Sequence, residues 1–219
     1  MRKAFFLFIL SLLSITMQAQ STMITPPYLQ KGDTIAIVAT ARKHIVKSLQ
    51  PTIDLIESWG LHVVFGKSIG LEENQLAGSD EQRAADLQEQ LDNHNIKAIW
   101  CARGGYGTVR VVDLIDFTQF KKHPKWLVGF SDVTVLHNHL NTMGYKSIHG
   151  IMPISLAKAS PEAIESLRVS LFGQPLQYTI DTHPMNKIGK SSGELVGGNL
   201  SILYSLLGSP SAIDCKDKI

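Results

Sequence analysis

The sequence predicts an α/β fold: a doubly wound parallel sheet of the Rossmann or flavodoxin type, followed by the start of a smaller, incomplete second domain. Two observations and one rule carry this. Short apolar, β-branched runs alternate with longer stretches of helical spacing, the order of strands joined by helical crossovers. The runs are apolar almost throughout rather than alternating, as in strands covered on both faces. Right-handed crossovers then place helices on both sides of the sheet. The 219 residues, 44% hydrophobic and 18% charged, suffice for one sizeable domain and part of another.

The first strand is expected at Thr34 to Ala39, after the turn residues Gly32-Asp33. Apolar Leu49, Ile53, Leu55 and Ile56 give helical spacing from Val46 to Trp59, and Gly60 stops it. Leu61 to Phe65 reads as the second strand. A polar, glycine-bearing loop runs from Gly66 to Gly78. Ser79 and Gln82 then form a capping-box pattern that opens a helix to Asn93. Lys97 to Cys101 is the third strand, and the turn Arg103-Gly104-Gly105-Tyr106-Gly107 leads to a short helix at Val109 to Ile115. Trp126 to Phe130 is the fourth strand, Ser131 to Thr142 a helix, Ser147 to His149 a short fifth strand and Pro161 to Leu171 a helix. These elements place the main domain at residues 24–172.

From Gly173 the pattern changes. Residues 173–192 read as a polar, extended linker, with Pro175 and Pro184 breaking any helix. Residues 193–219 read as the beginning of a second domain, with a strand at Glu194 to Val196 and a helix at Asn199 to Leu207. So short a piece buries no core of its own, so it is expected either to pack on the first domain or to belong to a longer protein.

Residues 1–20 have the order of a secretory signal peptide: Arg2 and Lys3, an apolar run from Ala4 to Leu13, then the small residue Ala19. The mature chain is therefore expected in the periplasm or outside the cell. Cys101 and Cys215 are too few for a disulfide framework, and Cys101 reads as a buried small hydrophobe. The net charge of +2 and the lack of a basic stripe argue against nucleic-acid binding. No window has the length of a membrane span, so no membrane partner is expected once the signal is removed.

Three segments can carry chemistry. In Val128-Gly129-Phe130-Ser131-Asp132-Val133-Thr134 a strand turns sharply into a helix, which lifts a serine hydroxyl above the carboxyl edge of the sheet. The bland alternative is that Ser131 or Asp132 only caps the helix. In Arg103-Gly104-Gly105-Tyr106-Gly107 the glycines let the backbone approach a ligand and aim N–H groups at an oxyanion, and Arg103 suits a carboxylate. A dinucleotide cradle is disfavoured, because Arg110 stands where the third glycine belongs. Gly197-Gly198-Asn199 is a tight strand-to-helix connection, with Glu194 just before it read as a solvated strand residue. Of the eight histidines, His137 and His139 point to different helix faces and show no zinc spacing. His149, at the end of a strand on the same sheet edge, is the one local histidine that could approach Ser131; the bland alternative is a hydrogen-bonded, partly buried histidine.

Together these segments resemble the LD-carboxypeptidase family, the S66 or MccF-like serine peptidases, from about Ile24 onward. The resemblance rests on Gly32-Asp33-Thr34-Ile35-Ala36, Ala102-Arg103-Gly104-Gly105-Tyr106-Gly107, Pro124 to Thr134, His149-Gly150, and Gly193-Glu194-Leu195-Val196-Gly197-Gly198-Asn199-Leu200. It implies a Ser-His-Glu triad with Ser131 as nucleophile and an oxyanion hole from the N–H groups of Asp132 and Gly105. Arg103, Gly104 and Tyr106 become the expected substrate contacts. It further implies peptides or muropeptides ending in a D-amino acid as substrates, no metal or organic cofactor, and homodimers. The family's Glu and His follow the Gly-Gly-Asn segment at positions this sequence does not reach, so these residues alone are expected to be nearly inactive. Ala39-Thr40-Ala41-Arg42 replaces the family's Pro-Ser turn, and Ile151 replaces a Pro. Two other functions fit the same motifs: detoxification of a peptidyl-nucleotide antibiotic, and a non-catalytic periplasmic domain that holds a peptide carboxylate.

Overall fold

The computed structural model describes residues 23–219, so the expected signal peptide lies outside the described residues. Five strands form one all-parallel sheet: β1 (Thr34–Val38), β2 (His62–Phe65), β3 (Ile96–Cys101), β4 (Trp126–Gly129) and β5 (Ile148–His149). Their order is β2-β1-β3-β4-β5, the flavodoxin-like arrangement. The helices are α1 (Gln50–Ser58), α2 (Asp80–Asp92), α3 (Thr118–Lys122), α4 (Thr134–Thr142), α5 (Pro161–Leu171) and α6 (Leu200–Ser205).

Side-chain alternation along each strand divides the core in two. Ile35 and Ile37 face α1 and α5 through Ile56, Leu167 and Leu171. Ala36 and Val38 face the other way, onto Leu87 and Leu91 of α2, Phe120 of α3 and Leu136 and Leu140 of α4. Helices thus cover both faces. The indole N–H groups of Trp100 and Trp126 are satisfied by the carbonyls of Ile151 (2.7 Å) and Pro27 (3.0 Å). Cys101 is a buried free thiol, and burial pushes its pKa up to about 12. Cys215 is also unbridged.

The sequence-predicted helix starts differ in type from the observed ones. Val46–Leu49 and Ser131–Val133 are 3-10 turns that feed α1 and α4. The short helix expected at Val109 to Ile115 is a pair of 3-10 turns, Thr108–Arg110 and Val112–Leu114. The capping box at Ser79 forms as expected: Gln82 N–H donates to Ser79 Oγ (3.3 Å), and Ser79 N–H donates to Gln82 Oε1 (2.9 Å).

Residues 174–192 are exposed and carry no helix or strand. Glu194 to Val196 is not a regular strand. Among the described residues its backbone pairs with Ile219, through Ile219 N–H to Glu194 O (2.9 Å) and Val196 N–H to Ile219 O (2.8 Å), and the Glu194 carboxylate meets Asn141 Nδ2 (2.6 Å) and Lys218 Nζ (3.3 Å). The two backbone bonds straddle Leu195 as in a parallel bridge. Helix α6, capped by Asn199, buries Ile202 and Leu206 in the same core as α4, so this segment packs on the first domain. Leu200, Tyr204 and Leu207 on the rest of α6 remain exposed.

Candidate active site

The carboxyl ends of β1, β3 and β4 meet at one edge of the sheet, and the three sequence-predicted turns gather there. Ser131 follows β4 with φ 61, one of three non-glycine residues with positive φ among the described residues. An L-residue held there at a strand-to-helix turn is strained, as at a nucleophile elbow. Gly129 is required by packing: a Cβ at this position would lie 2.8 Å from Val133 Cγ2. Its carbonyl accepts from Gly150 N–H (3.0 Å) and from His137 Nε2–H (2.9 Å).

The glycine turn after β3 packs directly on this elbow. A Cβ on Gly104 would come within 3.4 Å of Asp132 N and 3.5 Å of Ser131 Cβ. Gly105 has φ 130, and a Cβ there would run into the Arg42 side chain. The N–H groups of Asp132 and Gly105 have no hydrogen-bond partner among the described residues, so both remain available to an oxyanion.

A buried network joins the turns from beneath. The fully buried Asp132 carboxylate accepts from Thr108 N–H (3.0 Å) and Thr108 Oγ1–H (2.6 Å), and Thr40 Oγ1–H donates to Thr108 Oγ1 (2.8 Å). The second carboxylate oxygen, Oδ1, has no partner. Arg83, buried in α2, crosses from β1 to β3: its Nη1 donates to Thr40 O (2.7 Å) and Gly107 O (3.1 Å), and its Nη2 pairs with Asp80. The crevice between β1 and β3 is the topological switch point of this sheet, and the Arg83 guanidinium fills it.

The sequence-predicted substrate contacts take different places. Gly104 is buried against the elbow, whereas Tyr106 is 61% exposed at the rim. Arg103 is half-buried and donates to Lys43 O (3.2 Å). His149 makes no hydrogen bond to Ser131. Its exposed ring stands 5.7 Å from that of His137 and 6.3 Å from that of Phe130. Gly198 presses on the start of α4, where a Cβ would collide with Thr134, and Asn199 N–H donates to Thr134 Oγ1 (2.9 Å).

Sequence reasoning did not single out His137, Thr40, Thr108, Arg83 or Arg42 for this site. Arg83 stands among Asp80, Glu81, Asp86, Glu89 and Asp92 on α2, and nothing local in the sequence marks it. Only the Gly107-Thr108 step beside the glycine turn offered a local cue.

His137 is fully buried and hydrogen-bonded at both nitrogens. Because Gly129 O can only accept, Nε2 carries the proton and Nδ1 accepts from Ser147 Oγ (2.8 Å). Burial pushes its pKa down to about 4, against a rise caused by the Gly129 bond and a small lowering by His149. The unfolded chain binds this proton near 6.5, so between pH 6.5 and 4 unfolding takes up a proton. The contribution is complete above pH 6.5 and is lost on acidification, by about 3 kcal/mol at most. Burial lowers His44, His139 and His149 in the same direction. Urea unfolding measured from pH 7.5 to 4.5 should show stability falling, and His137→Asn should flatten the slope. A slope equal in wild type and variant would show that His137 is not its source.

The sequence profile described as the LD-carboxypeptidase N-terminal domain matches residues 35–150, just over half of the chain and all five strands but the first residue of β1. The chain belongs to the LD-carboxypeptidase family. Among curated relatives, the probable murein peptide carboxypeptidase of Bacillus subtilis is 40% identical over 201 residues, 89% of this chain and 63% of its own length. The murein tetrapeptide carboxypeptidase of Pseudomonas aeruginosa is 30% identical over 188 residues, 80% and 60% of the two chains. The chain thus spans 60% to 64% of the length of these and two further relatives. Among solved structures, the microcin C7 self-immunity protein MccF, bound to aspartyl sulfamoyl adenosine, superposes with TM-score 0.74 at 21% identity. That match covers 87% of this chain and 68% of MccF. The muramoyltetrapeptide carboxypeptidase of Oxalobacter formigenes gives TM-score 0.67 at 26% identity, covering 83% and 62%. These likenesses support the α/β fold.

Proposed function

We propose that the full-length protein is an exported serine LD-carboxypeptidase that removes a terminal D-amino acid from muropeptide-type peptides in cell-wall turnover. The observation that carries this reading is the meeting of a strained Ser131 with the free N–H groups of Asp132 and Gly105. In the proposed reaction Ser131 Oγ attacks the scissile carbonyl, and the two N–H groups receive the charge that develops on its oxygen. The leaving amine departs with the terminal residue, and water then hydrolyses the acyl-serine ester.

A base must take the Ser131 proton, and among the described residues none is hydrogen-bonded to it. We therefore place the Glu and His in the part of the full-length protein that corresponds to the relatives' uncovered length. The relatives' names favour cell-wall peptides over the antibiotic reading, because the sequence likeness to them is 30–40%, whereas MccF at 21% shares the fold alone. Export rests on the signal-like residues 1–20.

The test has two parts. The full-length protein should release D-alanine from a muropeptide tetrapeptide, and a fluorophosphonate should add its mass to Ser131 in that protein but not in the 219-residue chain. Labelling of the short chain would mean that a base lies within it, with His149 the first candidate. No labelling and no release by a folded full-length protein would leave a peptide-binding domain in place of an enzyme.

A further inference from the structure

A carboxypeptidase must recognise the free carboxylate at the end of its substrate, and a buried or solvated carboxylate is held best by a guanidinium. Five arginines and lysines lie around the site edge: Arg42, Lys43, Arg83, Arg103 and Arg110. Four are committed elsewhere. Lys43 pairs with Glu72, and Arg110 with Asp80 (2.6 Å). Arg83 is fully buried beneath the turns. Arg103 donates to Lys43 O (3.2 Å). Arg42 has neither a carboxylate partner nor a side-chain hydrogen bond among the described residues.

Its position is fixed all the same. Arg42 forms an antiparallel bridge with Leu76, flanked by Ala77 N–H to Ala41 O (3.0 Å) and Lys43 N–H to Gln75 O (3.1 Å). The Arg103 bond to Lys43 O ties the same turn to the glycine turn after β3. The side chain then lies along Gly105: a Cβ built there would be 2.5 Å from Arg42 Cγ, 2.8 Å from Cδ and 3.2 Å from Nε. Gly104, the next residue back, touches Ser131 and Asp132. Glycine at 105 therefore does two things. It frees an N–H at the site, and it leaves the groove in which the arginine stem rests.

Resting on the peptidase reading above, we propose that Arg42 binds the α-carboxylate of the substrate's terminal residue, and so makes the enzyme an exopeptidase. Arg103 is a positioning residue for that turn. The ligand class is a peptide with a free C-terminal carboxylate.

The experiment compares full-length wild type, Arg42→Ala and Arg42→Lys on a tetrapeptide acid and on its C-terminal amide. Fluorophosphonate labelling of Ser131 verifies an assembled nucleophile in each. Wild type should prefer the acid. Arg42→Ala should lose about a hundredfold in kcat/KM on the acid, so that the acid-to-amide ratio collapses, with Arg42→Lys between the two. An unchanged ratio in Arg42→Ala overturns the proposal. If wild type hydrolyses and labels nothing, the peptidase reading fails instead. Calorimetric titration of N-acetyl-L-alanyl-D-alanine then decides the site alone: equal affinity for wild type and Arg42→Ala, or none for either, overturns it.

Discussion

Replacing Ser131 with glycine is expected to abolish hydrolysis by the full-length protein while raising its melting temperature by about 2–4 °C. The serine sits at φ 61, a region that costs an L-residue about 2 kcal/mol and costs glycine nothing comparable. The gain is net of the larger freedom glycine has in the unfolded chain. Loss of the hydroxyl removes the proposed nucleophile, for a fall of about 10⁴-fold or more in kcat. Ser131→Ala is the control, because it loses the same hydroxyl but keeps the strain. Calorimetry should therefore rank glycine above alanine, with both inactive. Equal melting temperatures for the two variants would mean that the turn stores no strain.

The second large effect concerns the floor of the site. Arg83→Ala should destabilise the protein by about 3–5 kcal/mol, a drop of about 10 °C. The substitution removes the buried guanidinium donor from the carbonyls of Thr40 and Gly107 and one of the two arginine partners of Asp80, leaving Arg110. It also withdraws a positive charge that acts on the buried Asp132. Arg83→Lys should recover little, since one ammonium cannot reproduce a fork that spans two loops and a carboxylate. Denaturant midpoints for the three proteins check this. A loss below about 1 kcal/mol, or full recovery with lysine, would show that the turns hold themselves.

Which features could be read in the sequence follows from the range of the forces involved. The strands were legible because β-branched runs such as Thr34-Ile35-Ala36-Ile37-Val38 report burial locally. The start of α2 was legible because Ser79 and Gln82 cap it within a few residues. The elbow was legible because Gly129 and Ser131 are two apart. By contrast, α3 spans five residues, too few to show helical spacing, although Asp116 accepts from Thr118 N–H (2.8 Å) at its start and Phe120 is buried. The pairing of Glu194 to Val196 with Ile219 depends on residues more than twenty positions apart.

The same holds for the site. Asp132 was expected to contribute its N–H, but the use of its carboxylate depends on Thr108, which lies on another turn. In sequence Arg42 only ends the turn that replaces the family's Pro-Ser, and the close approach of Gly105 places it at the glycine turn after β3.

The Gly129 carbonyl has a consequence for motion. Both of its lone pairs are used, by Gly150 on one side and His137 on the other, and His137 is itself held by Ser147. The peptide after Gly129, which leads toward Ser131, is thus anchored on both sides. On the proposed peptidase reading, adjustment to different peptides falls to the opposite rim, where Tyr106 and Arg42 are exposed, while the serine stays still.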